Sequence, residues 1–541
     1  MKRMPNFLCF LMLLSVVSFW GCSEPQKPAE PEVVNPRDTI GSLSRYFATE
    51  TIPVRGIGIV AGLAGTGSSE CPPSVRQELE KYIKQQVVGP VNARAVIDSL
   101  DTAVVEISGS MPALCMAGDT FDLVLKPLSS TQTTSLDGGY LYTAELKEQS
   151  RLTNVEQFSR FSRSLATADG PIYAHATNAA EQRKWFVLGG GQVKQDSNVK
   201  LILNSPGFIT ANAIRNRINE RFGPKTAAAM STAEISLSFP ARYIDHRQKF
   251  LKLVESLILA ENPAIQNEYA QGLIQKIISK SEDIENAEIA LEGIGRPALD
   301  SLAPLLKHPD PVVQFHAARC MLNIGDNRAL SVLRMIVSDK KNPYRLEGIR
   351  AVGQSARRRD ALPILAVALN DPEIQVRLEA YEMLALLNSP EISRRSVADG
   401  AFIVDNVICS GPQVVYVFRQ KSPKIILFGP PIYCNKNLFI QSNDQTVTIN
   451  SLPDAEYISV TRKHPNQPRV LGPLLCNYEL SSLIRTLGEL PDIKESKATQ
   501  PGLAIPYSDI ISILKIMSVR NAIPAQFIAG PEPVLQDLSS S

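Results

Sequence analysis

The chain has 541 residues, with 56 Lys and Arg against 54 Asp and Glu and an apolar fraction of 44%. That length exceeds one ordinary core, so about three or four domains are expected. The near-balance of charge leaves no electrostatic footprint for nucleic acid.

The first 22 residues, MKRMPNFLCFLMLLSVVSFWGC, join a basic start to a short apolar run that ends in Gly21-Cys22. The run is too short to span a bilayer and Pro-rich polar sequence follows at once, so residues 1–21 read as a secretory signal peptide. Gly before Cys at that place resembles a bacterial lipobox, which makes Cys22 the expected lipidation site, and Ser23, rather than Asp, points to the outer membrane. Residues 22–40, including SEPQKPAEPEVVNP, then form a tether reaching roughly 3 Å per residue where it is polyproline-like. Export also permits disulfides. Beyond the signal, Cys71, Cys115, Cys320, Cys409, Cys434 and Cys476 show no C-x-x-C and no zinc spacing, so neither a metal nor a cofactor is expected.

Residues 54–69, VRGIGIVAGLAGTGSS, contain Gly56, Gly58, Gly62, Gly65 and Gly67. Gly56-x-Gly58-x-x-Ala61 formally matches a dinucleotide fingerprint, but that chemistry needs a buried strand feeding directly into a helix whose amides face the pyrophosphate. Pro53 and Arg55 interrupt the approach, Pro72-Pro73 follow, and no Walker lysine is present, so no nucleotide is expected. The stretch reads instead as a β-prone segment, a turn-rich loop, and a helix opened by a capping box at Ser74–Gln77.

RGIGIVAGLAGTGSS resembles the signature near the start of bacterial flagellar P-ring proteins. MPALCMAGDTFDLVL, SLDGGYLYTAELK, LILNSPGFITANAIRNRINERFG and FLKLVESL are similar to later family motifs in the same order, over residues 50–257. The resemblance implies a structural, ring-forming envelope protein, a homo-oligomer in contact with other flagellar components. Ser68 stands where the family usually has Asp, and the family's C-terminal half does not follow.

Read from its residues, 41–257 is an α+β domain. Asp137-Gly138-Gly139 and the GGG of WFVLGGGQVKQ are hairpin-turn signals. Ile214, Ile218 and Phe222 mark one helical face, with Thr210 as N-cap and Gly223 as the stop. The five loop glycines are expected to shape backbone, either at a seam between ring subunits or in the domain's own turns. Cys71 and Cys115, both near turns of an exported region, are expected to pair.

Residues 258–390 are helical and self-similar. Ala298-Leu299, Ala329-Leu330 and Ala361-Leu362 recur at nearly one spacing. Leu302, Leu333 and Leu365 follow in step, as do Leu306, Val337 and Leu369. A second set comprises Val313, Tyr344 and Val376; Ala317, Gly348 and Ala380; and Met321, Val352 and Leu384. The period is that of stacked helix pairs. DPEIQVRLEAYEMLALL resembles a HEAT-type repeat, with Asp-Pro expected to open the first helix of each pair. The basic run SARRRD, 355–360, reads as an inter-helix turn, either solvated or facing an acidic partner. Cys320 is expected to pack as a buried small hydrophobe.

Residues 391–541 become strand-like in QVVYVFRQ, KIILFGPPIY, NLFIQSN, QTVTINS and EYISVTRK, followed by two helices and a Pro-rich tail. His175, His246, His308, His316 and His464 fall in no catalytic or metal motif. The sequence thus predicts a multidomain α+β chain: a P-ring-like α+β domain, an all-α HEAT-like solenoid, and a β-rich α+β module. The expected function is structural and not enzymatic, that of a lipid-anchored periplasmic bushing subunit around the flagellar rod. The alternatives are a HEAT-repeat scaffold of another envelope complex, and an envelope enzyme with an unrecognised site.

Overall fold

A computed structural model describes residues 35, 37–47, 50–86, 92–148, 163–175, 184–260, 262–463, 470–491 and 502–532. The signal sequence, Cys22, most of the tether and His464 lie outside the described residues.

The first half contains strands β1 (Ser44–Phe47), β2 (Ile52–Ala61), β3 (Thr102–Met111), β4 (Thr120–Pro127), β5 (Tyr140–Glu148), β6 (Ser164–Pro171), β7 (Tyr173–His175), β8 (Lys184–Val193), β9 (Lys200–Leu203), β10 (Ala227–Ala229) and β11 (Glu234–Leu237). Strands β4, β3, β2, β5, β6 and β8 pair in that order, and β8 returns to β4, so the sheet closes into a barrel. Alternation along the strands separates two sides of its wall. Val60, Ala103 and Val105 enter the barrel core, while Ile59 and Val104 turn outward against the helix Pro73–Gln86.

Two glycine motifs differ from their sequence reading. Asp137-Gly138-Gly139 is not a hairpin turn, because β4 and β5 are not neighbours; it is a tight turn into β5, with Gly138 at φ 72°. The GGG run does not turn either. Gly189, Gly190 and Gly191 lie inside the continuous strand β8, where its partner changes from β7 to β6 and its pairing with β4 shifts register. A side chain at Gly191 would strike the Phe121 ring at 2.6 Å, so glycine lets the strand bend over that ring.

Strands β1, β9, β11 and β10 form a second, antiparallel sheet. It carries the helix Phe208–Phe222, with Ile214 and Ile218 fully buried and Gly223 ending it at φ 109°. That helix starts before Thr210, with Gly207 at the cap. The outward edge of β10 is partly closed by Asn219, whose amide donates to Ala227 O and accepts from Ala227 N, both at 2.9 Å. Matching both groups of an edge residue removes a template for pairing with another chain.

The helical stack runs from Pro263 to Leu386 in four pairs: Pro263–Ile278 with Ile284–Ile294, 299–307 with Pro311–Ile324, Leu330–Ser338 with Arg345–Ser355, and Arg358–Leu369 with Ile374–Leu386. The second helices of successive pairs pack on one another and form the inner layer. Ala298, Ala329 and Ala361 are all fully buried, as are Leu302, Leu333 and Leu365, in agreement with the repeat read from sequence. Asp-Pro marks the second helix of a pair, not the first: Asp310 Oδ1 caps Val312 N at 2.9 Å at the start of Pro311–Ile324, where Pro311 takes the tolerated first position.

The C-terminal module holds β12 (Ile392–Val397), β13 (Phe402–Val407), β14 (Val414–Phe418), β15 (Lys424–Phe428), β16 (Phe439–Gln441), β17 (Val447–Asn450), β18 (Ile458–Lys463), β19 (Val470–Cys476) and β20 (Gln526–Ala529). They form a mixed sheet, β12-β13-β15-β14-β20, and the meander β16 to β19, with helices Leu480–Gly488 and Tyr507–Val519. Strand β20 comes from the tail that reads only as Pro-rich.

The modules are not beads on a string. Phe428 and Ile426 of the mixed sheet join the core of the helical stack. Fully buried Asp405 accepts from Tyr381 Oη at 2.6 Å and from Arg394 Nη2 at 2.9 Å across that junction. Tyr173, Phe186 and Leu188 of the barrel join the core of the C-terminal module. Asp122 Oδ1 takes N–H bonds from Gly189 at 2.8 Å and Lys421 at 2.7 Å, which ties the same two bodies.

Candidate functional site

The glycine segment is the first candidate, and its backbone geometry decides what it can bind. Residues 52–61 are one barrel strand that includes Pro53 and Arg55, so Gly56 and Gly58 sit in mid-strand. A Cβ at Gly56 would collide with Glu145 O and approach Leu146 Cδ2 at 2.9 Å; one at Gly58 would meet Ile107 Cδ1 at 2.8 Å. These two glycines let the neighbouring strand and the barrel core approach closely. Gly62 and Gly65 both have φ 82°, a conformation that favours glycine.

The loop that follows is zipped to its own domain. Gly65 N donates to Asp101 Oδ1, and Gly67 N to Leu100 O, each at 2.9 Å. Thr66 N donates to Leu63 O and Ser68 N to Thr102 O, also at 2.9 Å. Buried Ser68 accepts from Glu70 N at 3.2 Å and Gln132 N at 3.3 Å. A phosphate cradle needs convergent free amides; here those of residues 65–68 are spent on Leu63 and on residues 100–102. The helix after the loop starts at Pro73, one residue before the expected cap at Ser74. Gly56, Gly58 and Gly67 each lie against atoms of their own domain too close to admit a Cβ.

The expected Cys71–Cys115 bond does not form. Cys71 packs with Ile59 and Val75 outside the barrel wall; Cys115 is buried in the barrel core, its Sγ 3.2 Å from Ser197 Oγ. The strands β2 and β3 stand between them, and both thiols are free. Burial raises the Cys71 pKa, with Arg76 opposing it. Cys320 is fully buried in the helical stack, where burial pushes its thiol well up. It behaves as the small hydrophobe the sequence suggests.

No group of three or more His, Cys, Asp or Glu suited to a metal occurs among the described residues. His308 Nδ1 accepts from Asp310 N at 3.1 Å, and burial lowers the His246 pKa. The exception to isolated histidines is His316, which sequence reasoning missed as part of a cluster. His316 Nδ1 lies 2.7 Å from Glu288 Oε2, and Arg319 grips the same carboxylate through Nε at 2.7 Å and Nη2 at 2.6 Å. Burial alone would raise the Glu288 pKa; the His316 ring and the Arg319 guanidinium outweigh it and hold the carboxyl below the usual range. This bolt joins helices Ile284–Ile294 and Pro311–Ile324. Glu288 and Arg319 also line a cleft between these helices.

In the SARRRD turn, Arg358 Nε donates to Leu387 O at 2.8 Å and Nη2 to Asn388 O at 3.0 Å, capping the end of the last helix. Arg357 and Arg359 are exposed beside it. No described helix is long and apolar enough to cross a membrane.

Residues 40–266 match the flagellar P-ring protein family, and residues 251–353 match HEAT repeats. Curated relatives include flagellar P-ring protein 1 of Hahella chejuensis, 29% identical over 233 residues that cover 41% of this chain and 59% of the relative. Flagellar P-ring protein 1 of Photobacterium profundum is 28% identical over 235 residues, 38% of this chain and 56% of the relative. The flagellar P-ring protein of Nitrosospira multiformis is 24% identical over 340 residues, 60% of this chain and 86% of the relative. The chain thus spans less than two thirds of the first two relatives. Its residues 40–266 are similar to flagellar P-ring proteins, and the similarity to HEAT repeats begins before that segment ends.

Proposed function

We propose that this chain is a structural subunit of a P-ring-like collar at the cell envelope, exported and held to the outer membrane by a lipid on Cys22. The observation that carries this reading is the P-ring match over residues 40–266, which covers both the barrel and the smaller β1-β9-β11-β10 sheet. A ring subunit needs a heterologous interface, one patch meeting a different patch on the next copy. Phe208, Ile209 and Met230 are exposed apolar residues of the smaller sheet and its helix, and they supply apolar surface for such a contact. The helical stack and the C-terminal module, fused through shared cores, add a rigid body to that collar.

The test is made in the native organism. Purified flagellar basal bodies should contain the chain, and its deletion should abolish motility. Its absence from basal bodies in motile cells would overturn the flagellar assignment and favour a scaffold of another envelope complex. The anchor is tested in the same strain. Several acyl chains anchor stably where one binds marginally, so the wild type should incorporate labelled fatty acid and sediment with membranes. Cys22→Ser should stay unprocessed or appear in the soluble periplasmic fraction. A wild type that takes up no label has no such anchor.

A further inference from the structure

Helices Ile284–Ile294, Pro311–Ile324 and Arg345–Ser355 of the inner layer, with helix Arg247–Ser256, enclose a cleft of about 250 Å³. Each cation lining it already has its own carboxylate. Lys249 Nζ meets Glu292 Oε2 at 3.0 Å, Arg319 is bidentate on Glu288, and Arg350 is bidentate on Glu379 at 2.8 and 2.7 Å. Two lining carboxylates, Glu285 and Glu347, are left without an ion-pair partner among the described residues. They occupy the place that His316 holds in the repeat between them, and His316 is satisfied internally by Glu288.

Glu347 shows the imbalance most clearly. Its Oε2 is buried and accepts no hydrogen bond. Such an acceptor is costly, because it has lost water without gaining a donor. Among the described residues no hydrogen bond or ion pair reaches that oxygen; Arg350 feels the Glu347 charge but is held bidentate by Glu379, and Ile289 and Ala351 add apolar lining to the same cleft. A site with an orphan carboxylate and apolar lining suits a side chain with an aliphatic stem and a cationic head.

We propose that this cleft is a docking site for a basic segment of another protein, which inserts an arginine whose guanidinium pairs with Glu347 and whose stem lies on Ile289 and Ala351. Arginine fits better than lysine because its planar head is weakly hydrated and can engage a carboxylate with two donors. An acidic segment is disfavoured, because Lys249, Arg319 and Arg350 are already matched. The inference goes beyond the collar reading and does not depend on it, since one copy of the chain supplies the whole cleft.

The test is titration calorimetry on the full mature chain at low salt, where surface charge is least screened. The probes are N-acetylarginine methylamide and its neutral isostere, N-acetylcitrulline methylamide. The arginine probe should bind about tenfold tighter than citrulline, and Glu347→Gln should remove that difference. Gln354→Trp, at an exposed position on the rim, should block both probes while leaving the thermal melt unchanged. Equal affinity for the two probes, no binding of the arginine probe, or an arginine affinity untouched by Glu347→Gln overturns the proposal. If Glu347→Gln does not fold, failure of Gln354→Trp to reduce binding of the arginine probe overturns it equally.

Discussion

Gly67→Ala should destabilise the barrel by at least about 3 kcal/mol, the upper end of the range for overpacking. The added methyl would collide with Thr102 O and come within 2.7 Å of Leu100 O, and both are main-chain atoms that cannot rotate away. They sit in the turn that also bonds Gly67 N and Ser68 N, so relief would break that zipper. Gly62→Ala is the control: its methyl meets nothing within 4 Å, and only the φ of 82° opposes it, a cost of about 1–2 kcal/mol. Scanning calorimetry of the full chain should show the transition containing the barrel shifted down strongly for Gly67→Ala and weakly for Gly62→Ala. A Gly67→Ala chain that melts like the wild type but fails to assemble would return this glycine to a subunit seam.

The second large effect is at Glu288. Glu288→Ala leaves His316 and Arg319 beside an empty site; breaking a buried pair by removing one partner costs about 3–5 kcal/mol. Arg319 is 24% exposed and keeps some water, which places the expectation near about 3 kcal/mol. The same bond makes the stack acid-sensitive. A carboxyl whose folded pKa is depressed adds stability above its unfolded value, about 4.3, and loses it as pH falls through the lower folded value. Urea unfolding of the wild type should therefore weaken below about pH 4. In Glu288→Ala the part of that slope belonging to Glu288 should vanish, so an unchanged slope would assign the acid sensitivity to other groups.

What could be read in the sequence follows from how local each signal is. The buried alanines at 298, 329 and 361 recur because each repeat must fit the same neighbour, so the pattern appears in the chain itself. Helix Phe208–Phe222 was legible for a similar reason, through its buried isoleucines and its terminal glycine. Closure of the barrel is not local: Leu123 pairs with Val187 across the chain, and nothing near either residue encodes it. The GGG run carries ordinary turn composition, and the atoms that crowd it, Lys421 O at Gly189, Val187 and Asp169 O at Gly190 and the Phe121 ring at Gly191, come mostly from distant parts of the chain. Glu288 resembles a solvated helix residue until the next helix lays His316 and Arg319 on it. Cys71 and Cys115 looked pairable because sequence does not reveal that a sheet separates them.

We propose that the P-ring-like segment and the helical stack joined to it build a collar together. The most direct measurement is electron microscopy of the mature, detergent-solubilised chain purified from envelopes. Class averages should show closed rings of uniform diameter with a regularly repeated mass on each ring, the stack fused to the C-terminal module. Single particles of one chain, with no rings at any concentration and none in envelope preparations, would contradict it.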